Sequence, residues 1–217
     1  MPNVVVVYLF GENFSELADI CRPTIINYCA KNGYDCNIKC VNKNKKGWYG
    51  FINTKHGREL LERYDLVFMM EGDFLITNPN IKIENLIDDQ HSFFICKDRN
   101  HINGGSWVAK GNKDGKDFLD FINRFEDECE HEQTPFELWC ESDYRVKVLD
   151  HPSINSIKYD EYYPSYGKIG YKDGEVVEMP TVAQGNWTPK SLNCHLPGRS
   201  LSDRIKIFTE IKAQLSL

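Results

Sequence analysis

Tyr64-Asp65-Leu66-Val67-Phe68-Met69-Met70-Glu71-Gly72-Asp73-Phe74-Leu75-Ile76-Thr77-Asn78-Pro79 is the stretch on which the fold turns. Leu66 to Met70 is an unbroken apolar run closed by turn residues. That is the pattern of a strand buried on both faces, as in a parallel sheet. The run ends on Glu71-Gly72-Asp73. Two carboxylates one residue apart at the end of a buried strand are costly unless a positive group stands beside them. The carboxyl edge of an open α/β sheet is also where ligands bind. The triplet therefore points to a divalent cation carrying a phosphorylated ligand, with Gly72 permitting close backbone approach. The plainer reading is a strand followed by an acidic turn. The strand before the triplet and the Asn78-Pro79 turn after it favour the site.

Upstream, Asn3–Leu9 is β-branched and apolar, a first central strand. Ser15 is placed to cap a helix running to Asn32, with Gly33 as its stop and Pro23 as a kink or as its true start. Tyr34–Val41 alternates like a strand, and a helix around His56–Arg63 leads into the acidic strand. This βαβ succession predicts a largely parallel sheet. Downstream, Glu84–Asp88 reads as a helical turn and Ser92–Cys96 as a strand. Asn103-Gly104-Gly105-Ser106 precedes a strand at Trp107–Lys110, its paired glycines marking a tight turn or a close backbone approach. Asp114–Glu128 and Thr134–Glu141 read as helices and Arg145–Leu149 as a strand. Tyr159–Tyr171 reads as irregular, Lys172–Glu175 as a hairpin turn, and Ser200–Leu215 as a terminal helix capped by Ser200.

The chain has 217 residues and a net charge of −6, with no large Lys/Arg cluster. One domain is the expectation, and nucleic acid is not an expected partner. No apolar run is long enough for a transmembrane segment. Met1-Pro2-Asn3 passes straight into Val4–Val7 without a signal-peptide layout. The eight cysteines form no Cys-x-x-Cys pair, so buried thiols in a reducing cytosol are expected rather than a zinc ribbon.

Three further groups could carry chemistry. In His195-Leu196-Pro197-Gly198-Arg199 the imidazole suits a metal, and the backbone N–H and guanidinium suit a diphosphate; a surface loop before the last helix is the plainer reading. Glu132-Gln133 opens a helix, where an acid also complements the dipole. Lys55 and Arg58 precede the acidic strand, although a solvated helix face explains such a pair as well.

Taken in this order, the pieces resemble the GT-A glycosyltransferases, nucleotide-sugar transferases built on a single Rossmann-like domain. The nearest flavour is the α-galactosyl/mannosyl/xylosyl transferase family of fungal Golgi enzymes and plant xyloglucan xylosyltransferases. Phe68–Pro79 is similar to that family's acidic strand and Asn-Pro turn, Asn103–Val108 to its Gly-containing strand, and Glu132-Gln133 to its acid-Gln helix. The first motif acid is Glu71, where the family usually has Asp. The resemblance implies an α/β fold with a mixed, mostly parallel central sheet flanked by helices. Residues 1–110 would form the nucleotide-binding half, and 111–217 the acceptor side with the metal and diphosphate loop.

For function, the resemblance implies transfer of a hexose or pentose from a UDP-sugar, UDP-glucose or UDP-galactose, to a saccharide or glycoconjugate acceptor, with retention. Asp73 and His195 would ligate Mn²⁺ or Mg²⁺, with Glu71 on the ribose or the metal's water shell. Val7, Tyr8 and Leu9 would hold the nucleobase. Lys55, Arg58, Gly198 and Arg199 would face the diphosphate, with Gly72 close by. Asn103, Gly104, Gly105, Ser106, Glu132 and Gln133 would face the sugar, the last two as the catalytic pair. A cytosolic enzyme of a microbe or of a virus in its host would fit. The alternative is a non-catalytic nucleotide- or sugar-binding module on the same fold.

Overall fold

The computed structural model describes residues 2–43, 51–97, 102–149, 153–158, 169–172, 175–178 and 187–217. Strand β1 (Val4–Gly11) is buried at every position. Alternate residues point to opposite faces of a strand, so β1 feeds two cores. Val4, Val6, Tyr8 and Phe10 pack on one side with residues of α1 (Ser15–Asn32). Val5, Val7 and Leu9 pack on the other with Leu60 from α2 (Ile52–Leu60). A strand covered by helices on both faces needs apolar residues throughout, which is why the sequence shows a run and not an alternation.

Edge strand β2 (Asp35–Val41) and acidic strand β3 (Leu66–Glu71) both pair parallel to β1. Beyond β3 the sheet continues through β6 (Ile102–Lys110), β5 (Phe93–Lys97) and β7 (Val146–Leu149), in the order β2-β1-β3-β6-β5-β7. Strand β6 is antiparallel to both neighbours, and β7 is parallel to β5. Helices α3 (Lys113–Asn123) and α4 (Gln133–Trp139) add Phe118 and Phe136 to the second core. Helix α5 (Leu201–Leu215) adds Phe208 and Ile211 to the first. Two small pairs complete the described residues: β4 (Phe74–Ile76) with β10 (Asn193–His195), and β8 (Ile169–Lys172) with β9 (Glu175–Glu178), both antiparallel.

Several local expectations are corrected. Ser15 does not cap α1; its hydroxyl donates to the Glu12 carbonyl, because a short 3-10 turn (Glu12–Phe14) runs straight into the helix. Helix α1 runs through Pro23 to Gly33, whose φ of 73° closes it with its N–H on the Cys29 carbonyl. The helix expected over Asp114–Glu128 ends at Asn123 and continues as a 3-10 turn (Arg124–Asp127). Asn103–Ser106 is no turn and lies inside β6. The β5 register jumps from Ile95 opposite Trp107 to Cys96 opposite Asn103, so Gly104, Gly105 and Ser106 bulge away from β5. Ser106 nevertheless still faces Met70 on β3. Glycines suit such a bulge because they have no side chain to place. Trp48, Tyr49 and the turn residues Asp173 and Gly174 lie outside the described residues. All eight cysteines are free thiols, five of them buried.

Candidate active site

The carboxyl ends of β1, β2 and β3 open onto a cleft of about 260 Å³. Leu9, Phe10, Gly11 and Val41 line one part of it, Ile52 and Asn53 another, and Glu71, Gly72, Asp73 and Arg204 a third. Val7 and Tyr8 are fully buried behind this wall and Leu9 alone of the three stands on it. The Tyr8 hydroxyl donates to the Gly72 carbonyl at 2.7 Å, which fixes the acidic turn from behind.

Pairing of β4 with β10 sets His195 opposite Phe74, next to Asp73 in the chain. The imidazole stacks on the Phe74 ring at 4.1 Å. Its Nε2 lies 3.3 Å from Asp73 Oδ1. The other ring nitrogen, Nδ1, is 2.8 Å from Asn155 Oδ1. Asn155 Nδ2 donates in turn to Asn103 Oδ1 at 2.8 Å, and the Gly105 amide donates to the same oxygen at 3.0 Å. With Asn155 Oδ1 as the acceptor, Nδ1 carries the ring hydrogen and Nε2 is the nitrogen that faces Asp73. Nε2 and Asp73 Oδ1 are thereby placed where both could share one cation. A ligating His is commonly held in this way, with its second nitrogen fixed by a polar partner. Asp73 and His195 are the two side chains here that could hold a divalent ion. Gly105 belongs to the same construction, since a Cβ there would stand 3.1 Å from Phe74 and 3.2 Å from the His195 ring.

The two motif acids are driven in opposite directions. Burial alone would raise the Asp73 carboxyl, but His195 and Arg204 outweigh it and hold Asp73 below the usual carboxylate range. Burial, then Glu132 and Asp73, push Glu71 up to about 8. Glu71 Oε1 accepts from Asn53 Nδ2 at 3.3 Å, and Glu132 Oε1 accepts from the same amide at 2.8 Å. Glu132 Oε2 accepts from the Phe51 N–H at 3.2 Å. Phe51 holds a left-handed φ of 64°, an uncommon conformation for a bulky residue. That conformation aims its amide at the acid. Glu71 is therefore part of a carboxylate pair around Asn53. Among the described residues, no group of three or more His, Cys, Asp and Glu gathers to hold a metal.

Solved structures share this architecture. A glycosyltransferase involved in the glycosylation of the major capsid of PBCV-1 aligns with a TM-score of 0.65 at 15% identity, over 95% of this chain and 99% of that one. An active-site mutant of LgtC aligns at 0.58 and 12% identity, over 98% of this chain and 96% of that one. The fold is GT-A. The bifunctional glycosyltransferase WbbM also aligns at 0.58 and 12% identity, over 98% of this chain and 52% of that one. No protein-family model and no curated protein matches the sequence.

On this GT-A frame, some sequence-predicted residues converge and others do not. Asp73 lines the cleft and meets His195, which is joined through Asn155 to Asn103 and Gly105, and Glu71 and Glu132 meet around Asn53. Gly104 borders Glu132, whose Oε1 would lie 3.5 Å from a Cβ placed there. Buried Ser106 donates to the Ile154 carbonyl. Gln133 is half-buried and donates to Glu137 at 3.0 Å. Lys55 pairs with Glu126, and Arg58 with Asp120 and Glu62, so neither reaches the cleft. Arg199 donates to the Lys158 carbonyl and, with Gly198, lines a separate groove beside α5. Arg204, Asn53 and Asn155 escaped the sequence reading. Arg204 sits on the apolar side of a helix pattern, which is the one signal that could have marked it. No helix among the described residues is long and apolar enough to cross a membrane.

Proposed function

We propose that this protein is a metal-dependent glycosyltransferase that takes a hexose or pentose from UDP-glucose or UDP-galactose to a saccharide or glycoconjugate acceptor, working in the cytosol. The finer likeness to the α-galactosyl/mannosyl/xylosyl transferases belongs to the same proposal. The observation that carries it is the Asp73–His195 pair, 3.3 Å apart at the carboxyl edge of β3, with His195 Nδ1 2.8 Å from Asn155 Oδ1. Mn²⁺ or Mg²⁺ held there supplies positive charge to the leaving diphosphate. Leu9, Phe10 and Val41 offer an apolar wall to the nucleobase. Asn53 and Glu71 form a polar floor beside Asp73, with Glu132 behind Asn53.

Retention is part of the reading. An inverting transferase needs a base free to deprotonate the acceptor hydroxyl. Both oxygens of Glu132 already accept hydrogen bonds, from Asn53 and from Phe51. Gln133 has no basic group. A held carboxylate suits charge stabilisation beside an electron-poor anomeric carbon better than proton abstraction.

The test is release of UDP from UDP-glucose and UDP-galactose with and without Mn²⁺, followed by NMR of the product's anomeric proton. Metal-dependent release and an α-configured product are expected. Binding without turnover would favour a non-catalytic module on the same fold, and a β-configured product would rule out retention.

A further inference from the structure

We infer that Arg204 is the diphosphate-binding cation of this site, held ready by Asp73. The inference rests on the function proposed above and assigns a residue to it. Among the described residues that line the cleft, Arg204 is the sole cationic side chain. It comes from the second turn's beginning in α5, 131 positions beyond Asp73 in the chain, and it is buried. Three contacts fix the guanidinium. Its Nε donates to the Leu196 carbonyl at 2.9 Å. Its Nη2 lies 3.2 Å from Asp73 Oδ2. Its plane lies over the Phe14 ring at 5.2 Å, a cation–π contact.

Asp73 thus spends its two oxygens on two different partners. Oδ1 faces His195, where a divalent ion fits, and Oδ2 faces Arg204. Binding an ion on the first side leaves the second intact, so Arg204 need not move when the metal arrives. A guanidinium carries five N–H donors, and the two hydrogen-bonding contacts above use two of them. The rest belong to a rigid, planar, permanently charged group at the cleft wall, a geometry matched to phosphate oxygens. Charge balance leads to the same place. Asp73 is held ionised and Glu132 stands behind it with Glu71, so a diphosphate entering the site needs a cation besides the metal. Lys55 and Arg58 are engaged elsewhere, and Arg204 is already inside.

The test compares uridine with UDP by calorimetry, in the presence of Mn²⁺, for wild type, Arg204→Lys and Arg204→Gln. Uridine reads the nucleoside wall alone, and the UDP-to-uridine affinity ratio reads the diphosphate. The ratio should fall about tenfold or more in Arg204→Gln, the scale of a lost charged hydrogen bond. It should fall less in Arg204→Lys, which keeps charge without the planar fork. Uridine affinity should stay as in wild type and also reports that each variant is folded. Arg204→Lys carries the test if Arg204→Gln does not fold. An unchanged ratio in a variant that binds uridine normally overturns the assignment while leaving the proposed function standing. Failure of the wild type to bind UDP at all overturns that function, and this assignment with it.

Discussion

Two sets of basic side chains flank the acidic strand, and the molecule holds them very differently. On the outer face of α2, Lys55 pairs with Glu126, and Arg58 with Asp120 and Glu62. The Lys55 side chain is 47% exposed. At the cleft, Arg204 and His195 meet Asp73, with side-chain exposures of 10%, 4% and 12%. Water screens the first set and is almost excluded from the second. An exposed ion pair contributes little, because solvation competes with it and the side chains lose freedom. A buried charge is costly when stripped of its partner. Lys55 and Arg58 are close to the motif in sequence and irrelevant to it in space. Arg204 is remote in sequence and in contact.

The sharpest way to break this contrast is at Asp73. Asp73→Asn keeps the shape and removes the charge that both His195 and Arg204 face. Metal-dependent turnover should fall by at least about a hundredfold, since Lewis-acid stabilisation is worth several kcal/mol and ~1.4 kcal/mol is tenfold. Normal turnover and normal Mn²⁺-dependent UDP binding in that variant would show that the buried set has no special part.

A second effect is read in the metal-free protein with EDTA present. Glu71 is raised from its ordinary 4.5 to about 8 by burial and by Glu132. The folded state therefore binds a proton that the unfolded state has released between those values. The stability this contributes is complete below pH 4.5 and is lost as pH rises through about 8. Urea melts at successive pH values from 5 to 9 should show a decline of about 2 kcal/mol, less than full linkage because relaxation and water entry soften the burial of a carboxylate. Glu71→Gln should flatten that decline. A decline of the same size in Glu71→Gln would place its origin elsewhere.

The smallest effect belongs to the exposed set. Lys55→Met should change stability by under about 1 kcal/mol, and together with Arg58→Met it should leave UDP affinity unchanged. A clear loss of UDP affinity in the double variant would mean that the outer cations reach the diphosphate after all.

Much of this GT-A fold was legible in the sequence, and the reason is local. Val4–Tyr8 and Leu66–Met70 are apolar throughout because strands covered on both faces tolerate nothing else. Gly33 ended α1 because a left-handed residue was needed there. Ser200 capped α5, its hydroxyl accepting from the Asp203 N–H at 3.2 Å. The Gly104-Gly105 pair was visible, but its role was not. A tight turn and a bulge ask for the same residue, and only the β5 register distinguishes them.

By itself, the sequence determined the alternation of strands and helices and the position of the Glu71-Gly72-Asp73 triplet at a strand's carboxyl end. Periodicity, capping and burial are properties of neighbouring residues, so they can be read in a line. The tertiary structure alone decided which partners that triplet meets. The three-residue strand β4 pairs with β10, 119 positions further on, and so delivers His195. Packing of α5 against α1 brings Arg204 to the same carboxylate. Their surroundings then give the two buried motif acids opposite fates, with Asp73 held ionised beside His195 and Arg204 and Glu71 pushed toward its neutral form beside Glu132. A charge's value depends on what surrounds it in space, and no spacing along the chain encodes that.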